Sequence, residues 1–183
     1  ARQRATDAAT VAQPQGRIPN TNAKADGGAI GGSVTWGSGH VGLSYQGVSS
    51  VYGSPAEAAV RIDMESERWD LGGEVRDFGP VVSAVKFKFG RTNYEHREIE
   101  NGVINTRFLN KGDETRLELT HGKLGPLSGA FGFQGTNFGF SALGAEAFVP
   151  TTDTDAKGLF LYEELALGGL KLSLGLRGDR TRL

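Results

Sequence analysis

Cysteine is absent from this 183-residue chain, and methionine occurs once. Without cysteine there are no disulfide staples, no thiolate metal ligands and no cysteine nucleophile. Neither sign of charge is in excess, since 20 Lys and Arg face 21 Asp and Glu for a formal net charge of -1. Nothing in that balance calls for nucleic acid or an anionic surface as partner. No stretch approaches the ~20 consecutive apolar residues of a membrane-spanning helix, so a role in a bilayer would have to be carried by strands. The first residues, Ala1 to Thr6, contain neither an initiator methionine nor the apolar core of a secretory signal, and a processed or truncated start is expected.

What the chain has is glycine, 28 residues of it, and a period of two. Leu170, Leu172, Leu174 and Leu176 alternate with Lys171, Ser173, Gly175 and Arg177, the pattern of a two-faced strand. The same alternation recurs upstream. Val41, Leu43 and Tyr45, then Trp69, Leu71 and Val75, then Val85, Phe87 and Phe89, then Leu117 and Leu119, then Phe131 and Phe133 each oppose polar or small residues. Tight turns are expected near Ser38, Gly79, Leu124 and Gly168, roughly 40 to 45 residues apart, with longer polar loops at the alternate positions, as around Glu98 to Asp113. Residues 1–27 show no periodicity and carry Pro14, Gly16, Pro19 and Asn20 as breakers. They read as an irregular extracellular loop or disordered arm, and 28–183 as the strand-bearing body.

In a soluble sheet the apolar face turns inward, whereas in a membrane barrel it meets lipid and the charged face lines a lumen. Strands of ten or more residues, sorted loops and aromatics near strand ends (Trp36, Tyr45, Trp69) favour lipid. The expected fold is therefore all-β, an antiparallel up-and-down transmembrane β-barrel segment of about eight strands.

Several apparent sites read as ordinary structure. Gly37-Ser38-Gly39-His40-Val41-Gly42 fits the dinucleotide pattern in letters, but a strand follows it where a helix N-terminus would have to receive the pyrophosphate. Glu163-Glu164 and the Glu65/Glu67 pair have nothing beside them to position a substrate. Phe87/Phe89 and Phe131/Phe133 lack the basic face that a single-stranded nucleic acid platform needs. His40 and His121 flank turns. His96, in Tyr94-Glu95-His96-Arg97-Glu98, is the one histidine placed to touch a ligand, and the three histidines match no compact metal set.

The segments Gly16-Arg17-Ile18-Pro19-Asn20, Val41-Gly42-Leu43-Ser44-Tyr45, Tyr52-Gly53-Ser54-Pro55, Phe108-Leu109-Asn110-Lys111, Glu114 to Leu119, Gly129 to Gln134, Gly144 to Pro150 and Gly175 to Asp179 together resemble a TonB-dependent outer-membrane receptor, most closely the middle of the barrel of zinc-uptake receptors. The resemblance implies a share of a 22-stranded barrel in the outer membrane of a Gram-negative bacterium. It also implies a plug domain and the rest of the barrel as partners, TonB acting through that plug, contact with outer-membrane lipid, and import of a metal chelate or other scarce small nutrient. Tyr52, Tyr94 and His96 are the expected ligand contacts. No catalysis, cofactor, bound metal or nucleic acid is expected. The chain departs from the family in lacking a TonB box, a plug and the His- and Asp-rich insertion after the Tyr-Gly-x-Pro segment, where Ala56-Glu57-Ala58-Ala59-Val60 stands instead. A self-contained eight-stranded outer-membrane barrel with a structural, adhesive or hydrolytic role is the alternative.

Overall fold

The protein is described here from a computed structural model, which defines the backbone of residues 2–5 and all of residues 18–183. Nine strands form one antiparallel sheet in chain order: β1 (Arg2–Ala5), β2 (Ala23–Trp36), β3 (Gly39–Ser54), β4 (Glu57–Arg76), β5 (Val82–Glu100), β6 (Val103–His121), β7 (Leu127–Gly144), β8 (Thr152–Leu167) and β9 (Leu170–Arg182). Every strand pairs with its neighbour in sequence, and β9 pairs with neither β1 nor β2, so the sheet is open. Among the described residues there is no helix. The expected up-and-down, all-β architecture of eight long strands is present, with the four-residue β1 added at one edge.

Two expectations need correction. The irregular arm was expected to run to Gly27, but β2 opens at Ala23 and pairs with β1 through Arg2↔Asp26 to Ala5↔Ala23. Ala23 and Ala25 alternate with Lys24 and Asp26, which bridge at 3.3 Å along the strand, so a short period-two segment precedes the first large apolar residue. Residues 6–17 of that arm lie outside the described residues. The long polar loops are also mostly strand. β3 and β4 join through Pro55-Ala56, and β5 and β6 through Asn101-Gly102. Both residues of the second turn have positive φ, 51° and 81°, as a two-residue hairpin turn demands and as Asn-Gly supplies. Among the connections lying wholly within the described residues, the β7–β8 one, 145–151, is the longer loop on that side.

The ladders sort the side chains onto two faces. One face carries Ile30, Val34 and Trp36 on β2, Val41, Leu43 and Tyr45 on β3, Trp69, Leu71 and Val75 on β4, Phe87 and Phe89 on β5, Leu117 and Leu119 on β6, Phe131 and Phe133 on β7, Leu159, Leu161 and Leu165 on β8, and Leu170 to Leu176 on β9. These residues do not form a core. Val60 and Ala142 are the only buried hydrophobic residues described, while Ile30, Leu172 and Leu174 are 75%, 59% and 65% exposed.

The apolar residues form a band that crosses the strands obliquely. On the side of the β3–β4 and β5–β6 turns its edge lies level across β2, β3 and β4, at Ile30, Tyr45 and Trp69, and then steps to Phe89, Phe133 and Leu176. Leu176 is connected through the ladders to Leu161, Phe131, Leu119, Val85 and Val75. The edge has therefore moved along the strand by the distance from Trp69 to Val75. The opposite edge shifts the same way, from Val75 on β4 to the ladder of Leu167 and Leu170 on β8 and β9. Six residues at ~3.3 Å over five strand steps of ~4.8 Å give a slant of about 40°, or about 30° if the level first strands are counted. Barrel strands cross their axis at about 35–45°.

The other face carries charge at the height of the band, organised by glycines that let side chains reach across an intervening strand. Arg68 on β4 bridges Asp70 at 2.8 Å and reaches Glu114 on β6 at 3.1 Å, passing Gly90, where a Cβ would meet its guanidinium. Arg177 on β9 binds Asp179 at 2.7 Å and Gln134 on β7 at 3.3 Å across Gly158 in the same manner. On the apolar face, Glu163 stands between Leu161 and Leu165. It meets His121 Nε2 at 3.1 Å across β7, where Gly129 leaves the space.

These glycines differ in how much a side chain would disturb. At Gly129 a Cβ would collide with the Tyr162 backbone carbonyl as well as the Glu163 carboxylate, whereas at Gly175 nothing lies within 4 Å. Gly129→Ala is expected to destabilise the folded protein by about 1–3 kcal/mol and Gly175→Ala to leave it unchanged or slightly more stable. Denaturant midpoints measured in detergent micelles test the contrast.

Candidate functional site

Beyond the band, towards the β3–β4 and β5–β6 turns, the two faces exchange character. The formerly apolar face becomes ionic: Asp63 and Glu65 on β4 surround Arg97 at 3.5 and 3.6 Å, and Arg107 meets Glu95 at 2.9 Å. The formerly ionic face becomes aromatic. This exchange is what the alternation gives once residues 57–67 and 92–112 are strand.

On that second face β5 presents Tyr94 and His96, β6 presents Phe108 and Asn110, and β7 presents Phe140. The register sets His96 directly opposite Phe108, Tyr94 opposite Asn110, and Asn110 opposite Phe140. The His96 and Phe108 rings stack at 4.4 Å with planes 27° apart. Tyr94 stands edge-on to His96 at 5.6 Å and 80°, its hydroxyl 2.9 Å from His96 Nδ1 in a shared hydrogen bond. Phe140 completes the row 6.5 Å from Phe108. Opposite Phe108 the β7 residue is Ala142, too small to fill the surface. Together Thr92, Tyr94, His96, Phe108, Leu109, Asn110 and Phe140 line a cavity of about 290 Å³.

All these groups stand past the apolar band, towards the β3–β4 and β5–β6 turns. Burial holds His96 below its usual range, because the half-covered ring has no carboxylate partner to favour its protonated form. Burial, and then the nearby Tyr52 hydroxyl, raise Tyr94. One step further along β5, burial raises Glu98, and the carboxylates of Glu146 and Glu57 raise it further.

Tyr52, Tyr94 and His96, the three residues singled out from sequence, thus share one face and one neighbourhood. Phe108, Asn110 and Phe140 were missed as site residues. Phe108 and Asn110 fall in the stretch read as loop, although Thr106, Phe108 and Asn110 already alternate there and Asn101-Gly102 already marks a hairpin turn. His121 is taken up by Gly122 and Glu163. Of the segments carrying the family resemblance, Gly16 and Arg17 lie outside the described residues. Asn20, with φ 57°, donates its carboxamide N–H groups to the carbonyls of Ser54, Glu57 and Val60 at 3.0, 2.9 and 2.6 Å and so pins the β3–β4 turn. Among the described residues no group of three or more His, Asp or Glu side chains is arranged to hold a metal ion. No protein-family model matches the chain.

A histidine that burial keeps neutral should titrate below 6.5, the ordinary histidine value. In an NMR pH titration the midpoint of the His96 ring signals is expected below that value, and a midpoint at or above it would contradict the burial. Tyr94→Phe removes the hydroxyl but keeps the cover, so the midpoint should remain depressed.

Proposed function

We propose that this sheet is part of the wall of an outer-membrane β-barrel of the TonB-dependent receptor type, from a Gram-negative bacterium, and that it serves uptake of a scarce small nutrient. The observation that carries the reading is the oblique apolar band. A planar slab of hydrocarbon marks strands at one height, and strands inclined to the slab normal display that height as a diagonal across the ladders. The slant of about 30–40° found here is close to that of barrel strands.

The remaining features support the same reading. Trp69 and Tyr45 pack at 4.8 Å at the band's edge, where aromatic rings mark membrane interfaces. Charged residues on the opposite face are neutralised by one another across glycine gaps, as suits a wet or protein-filled lumen. The aromatic cavity opens on the lumenal face beyond the band, where a molecule arriving from outside would first be held. Tyr52, Tyr94 and His96 are the proposed contacts there, and no covalent step is proposed. A plug domain and further strands are the partners this reading requires, with TonB acting through the plug. The open sheet favours a portion of a large wall over a closed eight-stranded barrel.

Spin labels placed singly along residues 170–176 of the intact gene product in lipid vesicles test the reading. Oxygen accessibility should be high at Leu170, Leu172, Leu174 and Leu176, and water-soluble nickel chelate should dominate at Lys171 and Ser173. Labels at Trp69 and Leu176 should report the same depth although their ladder positions differ by six residues. Loss of the period, its reversal, or equal depths for Val75 and Leu176 would overturn the membrane assignment.

A further inference from the structure

The aromatic face differs from the ionic face below it in the sign of its charges. Loopward of Arg68, whose guanidinium is taken up by Asp70, Glu114 and Thr92, the lumenal face carries no Lys or Arg among the described residues. Arg61, Arg91, Arg97 and Arg107 at this end stand on the outward face, the last three in ion pairs. On the lumenal side the charge at the rim of the cavity is anionic. Glu98 is two residues from His96 on the same face, with Glu146 and Glu57 close enough to perturb it, and burial disfavours the protonated imidazole.

An anionic ligand entering this cup would find π-faces and carboxylates, both repulsive to it, and the one cation that adjoins the lining, Arg68 at Thr92, already paired with Asp70 and Glu114, so little offsets its desolvation. A cation would find the reverse, since the negative faces of Phe108, Phe140 and Tyr94 attract it and a carboxylate stands within one residue pair of the stack. The stacked, flat arrangement of His96 on Phe108 also favours a planar body over a branched one.

We propose that the cavity between β5, β6 and β7 takes a ligand joining a planar ring to a positively charged nitrogen, and discriminates against anions of the same shape. The inference deepens the uptake reading and rests on this face being the lumen. It narrows the nutrient from an unspecified chelate to a cationic or cation-bearing aromatic molecule and excludes carboxylate-rich chelates from this cup.

Calorimetric titration of the intact gene product in detergent micelles tests it, with benzyltrimethylammonium as cationic probe and phenylacetate as an anion of similar size. The ammonium probe is expected to bind at least about tenfold more tightly than phenylacetate. Glu98→Gln and Phe108→Leu should each weaken its binding by about three- to tenfold, with the period-two spin-label pattern retained as evidence that the variants fold. Preference for phenylacetate, equal binding, no binding of the ammonium probe at millimolar concentration, or a folded variant of either kind that binds it unchanged would overturn the proposal. The spin-label pattern judges the membrane reading by itself, so an intact pattern without cation preference removes only this inference.

Discussion

Successive residues of a paired strand face opposite sides of the sheet, and among the described residues no other element packs on either side of this single sheet. Every side chain must therefore suit whatever medium its face meets at that height. A soluble domain of this size would collapse its apolar face against a second layer, but Leu172, Leu174 and Phe131 remain exposed on a face that no other element covers among the described residues. The backbone is better satisfied than the side chains, because the ladders run almost unbroken from β2 to β9. That combination of closed hydrogen bonding along the strands and an uncovered apolar band suits hydrocarbon as the missing layer.

Glycine makes the second face workable. A row of charged side chains on one face needs partners, and the direct cross-strand neighbour is often another long side chain. Placing Gly90 between Arg68 and Glu114, and Gly158 between Arg177 and Gln134, lets groups two strands apart meet flat against the backbone. Being largely solvent-exposed, such pairs contribute little to stability individually. Their consequence is conformational, since they hold the charged groups close to the wall and keep the space above the sheet open. Gly129 performs the same service on the outward face, where Glu163 among leucines would otherwise lack a partner at His121.

The strands were legible in sequence where one medium is apolar, because a strand with one greasy face must place an apolar side chain at every second position. Leu170 to Leu176, Phe87/Phe89 and Phe131/Phe133 revealed both element and facing. Legibility failed where neither face is uniformly apolar. Across 98–113 one face is ionic and the other mixed, so hydrophobicity carries no clear period, and strand was read as loop. The Asn101-Gly102 turn held the missing information in its demand for two positive φ angles. Glu163-Glu164 was ambiguous for a different reason. Alternation requires one of the two to point outward, and only the fold shows that Glu164 reaches Lys171 at 2.7 Å on the inner face while Glu163 finds His121 across a glycine on the other. Tyr52, Tyr94 and His96 could be named as contacts, but the rings completing their surface depend on the β5–β6 register, which no local pattern states.

The exchange of polarity along the strands argues against a core-facing sheet more strongly than the alternation does. A sheet packed in a sandwich keeps one face apolar from end to end, because a single layer covers it. Here the face that carries Trp69 and Leu71 carries Asp63 and Glu65 two turns of the pleat later, and the face that carries Arg68 and Asp70 carries Met64 and Ile62. Both faces change at about the same height, and that height runs obliquely across the ladders. A layer with its strands parallel to these leaves an edge that follows the register, whereas a sheet turned by about 30° leaves an oblique one. A planar boundary external to the protein also leaves an oblique edge where the strands lean against it. The tilt needed is then fixed by the residues at the edge, and it falls in the range that closing a sheet into a barrel imposes.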